Sequence, residues 1–207
     1  MSIAKAYNSW SEIYDTNRNK TRDLDQKVTQ EVLSKYRFEE VLELGCGTGK
    51  NTEWFASKAS KVTALDFSDG MLAQAKQKIT AAHVHFHQAD LTHNWQVEDQ
   101  AFDLASCNLV LEHIENLVPI FAQAHQKLKV GGKFFVCELH PFKQYAGTKA
   151  RYETESGVEE LEVYMHHFSE YLHTAQQHGF TLIDAQEWFD GDDRSTLPRL
   201  ISFVFEK

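Results

Sequence analysis

The sequence contains no apolar run approaching the roughly 18 to 20 residues that cross a bilayer, so no membrane insertion is expected. Its opening residues, Met-Ser-Ile-Ala-Lys-Ala-Tyr-Asn-Ser-Trp, hold no apolar core of the secretory kind, and the expected location is cytoplasmic. Cysteine is scarce: Cys46, Cys107 and Cys137 are an odd number without a Cys-x-x-Cys pair. Neither a disulfide framework nor a tetrahedral zinc site is expected, and each cysteine reads as a buried thiol in or beside a strand. Basic charge is also short, with 21 Lys and Arg against 30 Asp and Glu and a formal net charge of −9. Non-specific affinity for nucleic acid is built mainly from phosphate neutralisation, so a polyanionic partner is disfavoured and a small-molecule substrate is expected. Repeats and low-complexity tracts are missing as well, and 207 residues make one domain with one substantial core, as a monomer or homodimer.

What the sequence does hold is concentrated at residues 41–49, Val-Leu-Glu-Leu-Gly-Cys-Gly-Thr-Gly. An apolar strand that runs into glycines at alternate positions brings bare backbone close to a ligand, because no Cβ stands in the way. A dinucleotide fingerprint would require Gly-x-Gly-x-x-Gly, but Lys50 occupies the third glycine position. A Walker-type phosphate loop fails too, since Gly49-Lys50 is followed by Asn51.

Further landmarks follow in order. Residues 62–65 read as a second strand ending in Asp66, 21 residues after Gly45. An acid there suits a ribose diol, because a carboxylate accepts two hydrogen bonds from vicinal hydroxyls. A short strand at 84–86 leads to Ala89-Asp90-Leu91, and a fourth at 102–107 leads to Asn108-Leu109-Val110-Leu111-Glu112-His113. An amphipathic helix carrying Leu117, Ile120, Phe121, Ala124 and Leu128 is expected to end at Gly131 and to enter a strand at 134–139.

This ordered set resembles the class I methyltransferases that use S-adenosylmethionine (SAM), and in particular the small-molecule group that includes the ubiquinone and menaquinone biosynthesis enzymes. The resemblance implies an α/β, Rossmann-like three-layer sandwich with a seven-stranded sheet of order 3-2-1-4-5-7-6, strand 7 antiparallel. It implies methyl transfer from SAM to a small molecule, with S-adenosylhomocysteine as product. Asp66 is then expected at the ribose and Asp90 at the adenine amino group. Phe67, Met71, Ala89 and Leu91 line the adenosine, while Glu43, Gly45, Cys46, Gly47, Gly49, Asn108 and Leu109 surround the methionine portion. The segment at 7–15 is similar to the aromatic preamble of this group, which adds Tyr14, and Arg22 could pair the methionine carboxylate.

The alternation of strand and helix independently argues for βαβ units. Residues 1–38 form an expected N-terminal helical segment. Residues 141–168 form an expected insertion, with strands at 150–155 and 159–164, of the kind that makes a lid over the substrate. Ser68 and Ser169 are expected helix N-caps.

Methyl transfer from a sulfonium is an in-line displacement, so a base is needed only where the acceptor must lose a proton. His113 and His140 are the expected candidates because both follow strands ending at the site, with Tyr145, His166 and His167 nearby in sequence. His83-x-His85-x-His87 could place three imidazoles on one strand face, but no further ligand is fixed by spacing and no metal is expected. The rival reading is a catalytically silent protein that keeps the cofactor fold and partners an active subunit.

Overall fold

The computed structural model describes residue 11 and residues 19–147, 151–154, 157–160 and 163–207. The expected position of Tyr14 lies outside the described residues. Helix α1 (Lys20–Leu33) starts at Asn19, whose side chain accepts hydrogen bonds from the amides of Thr21 and Arg22. There follow β1 (Glu40–Leu44), α2 (Lys50–Ala56), β2 (Lys61–Asp66), α3 (Asp69–Lys78), β3 (Val84–Gln88) and β4 (Phe102–Asn108). A 3-10 turn (Leu111–His113) leads to α4 (Val118–Lys127), β5 (Leu128–Leu139) and α5 (Pro141–Tyr145). The chain closes with β6 (Arg151–Thr154), β7 (Gly157–Glu160), α6 (Phe168–Gln177), β8 (Thr181–Trp188) and β9 (Leu200–Glu206).

Seven strands form one sheet of order β3-β2-β1-β4-β5-β9-β8. Strand β9 is antiparallel to both β5 and β8, and the remaining pairs are parallel. This is the expected order 3-2-1-4-5-7-6, with β8 and β9 as strands 6 and 7. Strands β6 and β7 form a separate two-stranded antiparallel sheet in which Thr154 faces Gly157, a tighter hairpin than the spacing predicts.

Alternation along the central strands sorts the core into two layers. Val41, Val62, Leu104, Phe135 and Cys137 pack beneath Val28, Val32 and Phe55 of α1 and α2. Leu42, Leu44, Ala105, Cys107, Phe134 and Val136 face Ile120, Phe121 and Tyr171 of α4 and α6. The order reverses between β1 and β4, both of which run parallel into the same carboxyl edge, and open α/β sheets bind ligands at such a point.

Three local expectations are corrected. Helix α4 stops at Lys127, not at Gly131, because Leu128 already pairs with Phe102 as a strand residue. Gly131 sits at φ +78° in an irregularity of β5, where the register jumps from Leu128 to Lys133. Ser169 lies inside the first turn of α6, and His167 holds the N-cap position. Ser68 does cap α3, accepting the Met71 amide at 3.2 Å.

Candidate functional site

The turn after β1 is tied to β2 by two amides: Gly45 N–H and Cys46 N–H both donate to the Leu65 carbonyl, at 2.8 and 2.9 Å. Gly45, Gly47 and Gly49 all have positive φ, at 73°, 54° and 86°, a region that L side chains adopt only under strain. Their surroundings differ. A Cβ on Gly45 would lie 2.2 Å from Val110 Cγ2, and one on Gly49 would lie 2.8 Å from Ile79 Cδ1. A Cβ on Gly47 would meet nothing within 4 Å. Gly45 and Gly49 therefore allow close packing of protein on protein, whereas Gly47 leaves bare backbone facing open space.

Strand ends deliver the acids. Asp66 closes β2, and its Oδ2 accepts the Gly47 amide while Oδ1 accepts the Ser68 amide, each at 2.8 Å. Burial raises its pKa, and these backbone donors oppose the rise. Glu43, on the α2 side of β1, accepts the Thr52 hydroxyl at 2.5 Å. Burial pushes its pKa up to about 8, and the neighbouring Asp25 and Asp66 add to that. Asp90 is more exposed. Burial works against its charge, but the Thr92 hydroxyl and amide and the nearby His93 outweigh it and hold its carboxyl below the ordinary value.

The turn after β4 is held from β5. Glu138 Oε1 accepts the amides of Val110 and Leu111, at 3.0 and 2.9 Å, and Leu109 takes φ +54° just before them. Burial pushes Glu138 up to about 8. That turn carries Val110 onto Gly45 and His113 to the edge of the open space.

These pieces enclose a cavity of about 370 Å³ at the carboxyl edge of the sheet, within the size range of small-molecule sites. Of the residues expected at the site, Arg22, Glu43, Gly45, Cys46, Gly47, Asp66, Phe67, Met71, Ala89, Asp90, Leu91, Asn108, Leu109 and His113 line it. Gly49 does not; it packs against α3 and Ile79 and supplies the left-handed N-cap of α2. His140 does not line it either. Its ring is 3% exposed, accepts the Phe142 amide at Nδ1 and meets Glu187 at Nε2, so both nitrogens serve the start of α5. Burial lowers the His140 pKa against the pull of Glu187. Tyr145 bonds to His167 at 3.0 Å, and His166 lies between Glu170 and the Ile114 carbonyl, all away from the cavity lining. Among the described residues no group of three or more His, Cys, Asp or Glu could hold a metal ion.

Asp25, Lys50, Asn51 and Ile114 also line the cavity and escaped the sequence reading. Asp25 is held from two directions: Asn108 Nδ2 donates to its Oδ1 at 2.7 Å and Asn51 Nδ2 to its Oδ2 at 3.0 Å. The only signal available beforehand was its place one helical turn after Arg22 on the face that also carries Val28 and Val32.

Residues 42–136 match the family described as a methyltransferase domain. Over that segment the chain resembles the methyltransferase domain family. A malonyl-[acyl-carrier protein] O-methyltransferase from Bacillus cereus is 30% identical over 173 residues, which are 75% of this chain and 62% of that protein. A demethylmenaquinone methyltransferase from Thermobifida fusca is 29% identical over 141 residues, covering 67% of this chain and 58% of that protein. This chain thus spans less than two thirds of the length of these relatives. Among solved structures, an S-adenosylmethionine dependent methyltransferase from Mesorhizobium loti superposes with a TM-score of 0.74 at 21% identity, over 87% of this chain and 96% of that one. The methyltransferase domain match begins at Leu42 and ends at Val136, so it contains the glycine turn, Asp66, Asp90 and His113 but not Arg22 or Asp25.

Proposed function

We propose that this chain transfers a methyl group from SAM to a small-molecule acceptor. The observation that carries the reading is the joining of Gly47, Asp66 and Asp90 in one cavity at the β1/β4 reversal. The residues fit the cofactor. Gly47 leaves space that a Cβ would fill. Asp66 spends one lone pair of each oxygen on a backbone amide and keeps others for a ribose diol. Asp90 offers Oδ2 to the adenine amino group, while Phe67, Met71, Ala89 and Leu91 bound the adenosine. Gly45, Cys46, Asn108 and Leu109 bound the methionine portion, with Arg22 at its carboxylate.

When bound, SAM supplies an electrophilic methyl group on a sulfonium, so the protein's part is chiefly to hold donor and acceptor in line. His113 and Ile114 form the part of the wall left for the acceptor. His113 lies 4.0 Å from Glu112, whose burial pushes its carboxyl up to about 7. In this reading the His113 imidazole accepts a proton from a hydroxyl or amine as the methyl bond forms. The test is incubation of the purified protein with methyl-labelled SAM and the small-molecule fraction of a cell extract. Labelled small molecules together with S-adenosylhomocysteine are expected, and failure to label any of them would count against turnover.

A further inference from the structure

The connection between β3 and β4, residues 89–101, carries no helix. One face of β2 and β3 is covered all the same: Val62 and Val84 pack with Phe55 of α2, and Ala64 and Phe86 with Leu72 of α3. Alternation sends Lys61, Thr63, His85 and His87 to the opposite face, where Thr63 lies in register with His85. A second cavity of about 350 Å³ opens there, and it shares no lining residue with the first. Thr63 and Phe102 line it as buried residues, while Lys61, His85, His87 and Glu98 bring it their charged and imidazole groups. The wall at 96–98 is pinned from α4. Gln123 Oε1 accepts the Trp95 amide at 2.7 Å, and Lys127 Nζ donates to the Val97 carbonyl at 2.9 Å and to Asp99 at 2.7 Å. The groove is therefore shaped before any ligand arrives.

His83, the first of the three alternating histidines, is drawn away by the Ala56 carbonyl at 3.0 Å. The side chains of Lys61, His85, His87 and Glu98, by contrast, make no hydrogen bond or ion pair among the described residues. An ammonium beside two imidazoles opposes a metal ion and favours an oxyanion, and no metal-holding group is assembled among the described residues. Same-face residues on one strand stand about 7 Å apart and neighbouring strands about 4.8 Å apart, so the three donors converge from separate corners. That arrangement suits a tetrahedral phosphate better than a planar carboxylate. The Glu98 carboxylate repels a second anionic group and accepts a hydroxyl. We propose that this groove binds a small hydroxylated phosphate ester, with Lys61, His85 and His87 on the phosphate oxygens and Glu98 on a hydroxyl.

NMR titration of the amide signals of the full chain tests the assignment, with glycerol 2-phosphate, inorganic phosphate and, at matched ionic strength, sodium chloride. Saturable shifts at residues 61–63, 85–87 and 96–98 are expected from both phosphates, with the ester bound more tightly, and none from chloride. Lys61→Ala should weaken the ester tenfold or more through loss of a charge-assisted bond, and Glu98→Ala should erase the ester's advantage over inorganic phosphate. His87→Ala, at an exposed position, carries the same expectation as Lys61→Ala and decides the matter if that variant does not fold. Absence of saturable shifts, equal shifts with chloride, or unchanged affinity in the folded variants at Lys61 and His87 overturns the proposal. Inorganic phosphate bound as tightly as the ester overturns the assignment of an ester. None of these readouts uses SAM, so the outcome stands apart from the reading of the first cavity.

Discussion

The three glycines of the turn separate stability from binding, and Gly47→Ala isolates the second. At φ +54° an alanine is expected to cost about 1 to 2 kcal/mol of left-handed strain. No packing cost is added, because the new methyl meets no protein atom within 4 Å. Gly45→Ala carries the same strain plus a methyl placed 2.2 Å from Val110 Cγ2, an overpacking of about 1 to 3 kcal/mol more. For a domain of this size each kcal/mol moves Tm by roughly 2 to 4 °C, so the free Gly47→Ala protein should melt about 4 °C low and Gly45→Ala about 10 °C low. The Gly47 methyl enters the space assigned to the cofactor, and a tenfold or greater loss of SAM affinity should cut the SAM-induced rise in Tm by about 1.4 kcal/mol of stabilisation. Differential scanning fluorimetry with and without SAM reads both numbers. If Gly47→Ala keeps the full SAM-induced rise, the bare backbone at Gly47 does not face the cofactor.

Three other outcomes follow from the same geometry. Asp66→Ala should weaken SAM by tenfold to more than a hundredfold on calorimetric titration, through the loss of charge-assisted hydrogen bonds worth about 1.5 to 3 kcal/mol; unchanged affinity would take Asp66 off the ribose. Burial raises Glu43 and Glu138 from 4.5 to about 8, so the folded state keeps protons that the unfolded chain releases. Their contribution to stability is full below pH 4.5 and is lost as pH rises towards about 8, at up to about 1.4 kcal/mol per pH unit for each group. Urea midpoints of Glu138→Gln should therefore decline less between pH 6 and pH 8 than those of the wild type, and parallel curves would contradict the assignment. His140→Ala should cost about 1 kcal/mol of stability through the lost cap of α5 and leave SAM affinity unchanged, whereas a selective loss of binding would return His140 to the site.

The sheet was legible where burial on both faces makes a parallel strand read as an apolar run. Residues 41–44, 62–65 and 102–107 each end in a turn that carries a small or acidic side chain. The order of the strands was not in their periodicity; it came with the resemblance, and the pairing of β1 with both β2 and β4 bears it out. Boundaries were misread where local signals competed. Gly131 reads as a helix stop, yet pairing of Leu128 with Phe102 ends α4 four residues earlier. His140 reads as a strand-end base, but a proline-led helix follows it and takes its ring as the cap. Asp25 was illegible for a different reason. Its partners Asn51 and Asn108 lie 26 and 83 residues away, and only the closure of α1 over the β1/β4 edge brings the three together.

We propose that the cavity at the carboxyl edge of β1, β2 and β4 holds SAM. Isothermal titration of the intact chain with SAM, S-adenosylhomocysteine and NAD tests it most directly. Saturable binding of SAM and S-adenosylhomocysteine, with no heat from NAD, is the predicted result. Tight NAD binding with no response to SAM would contradict it.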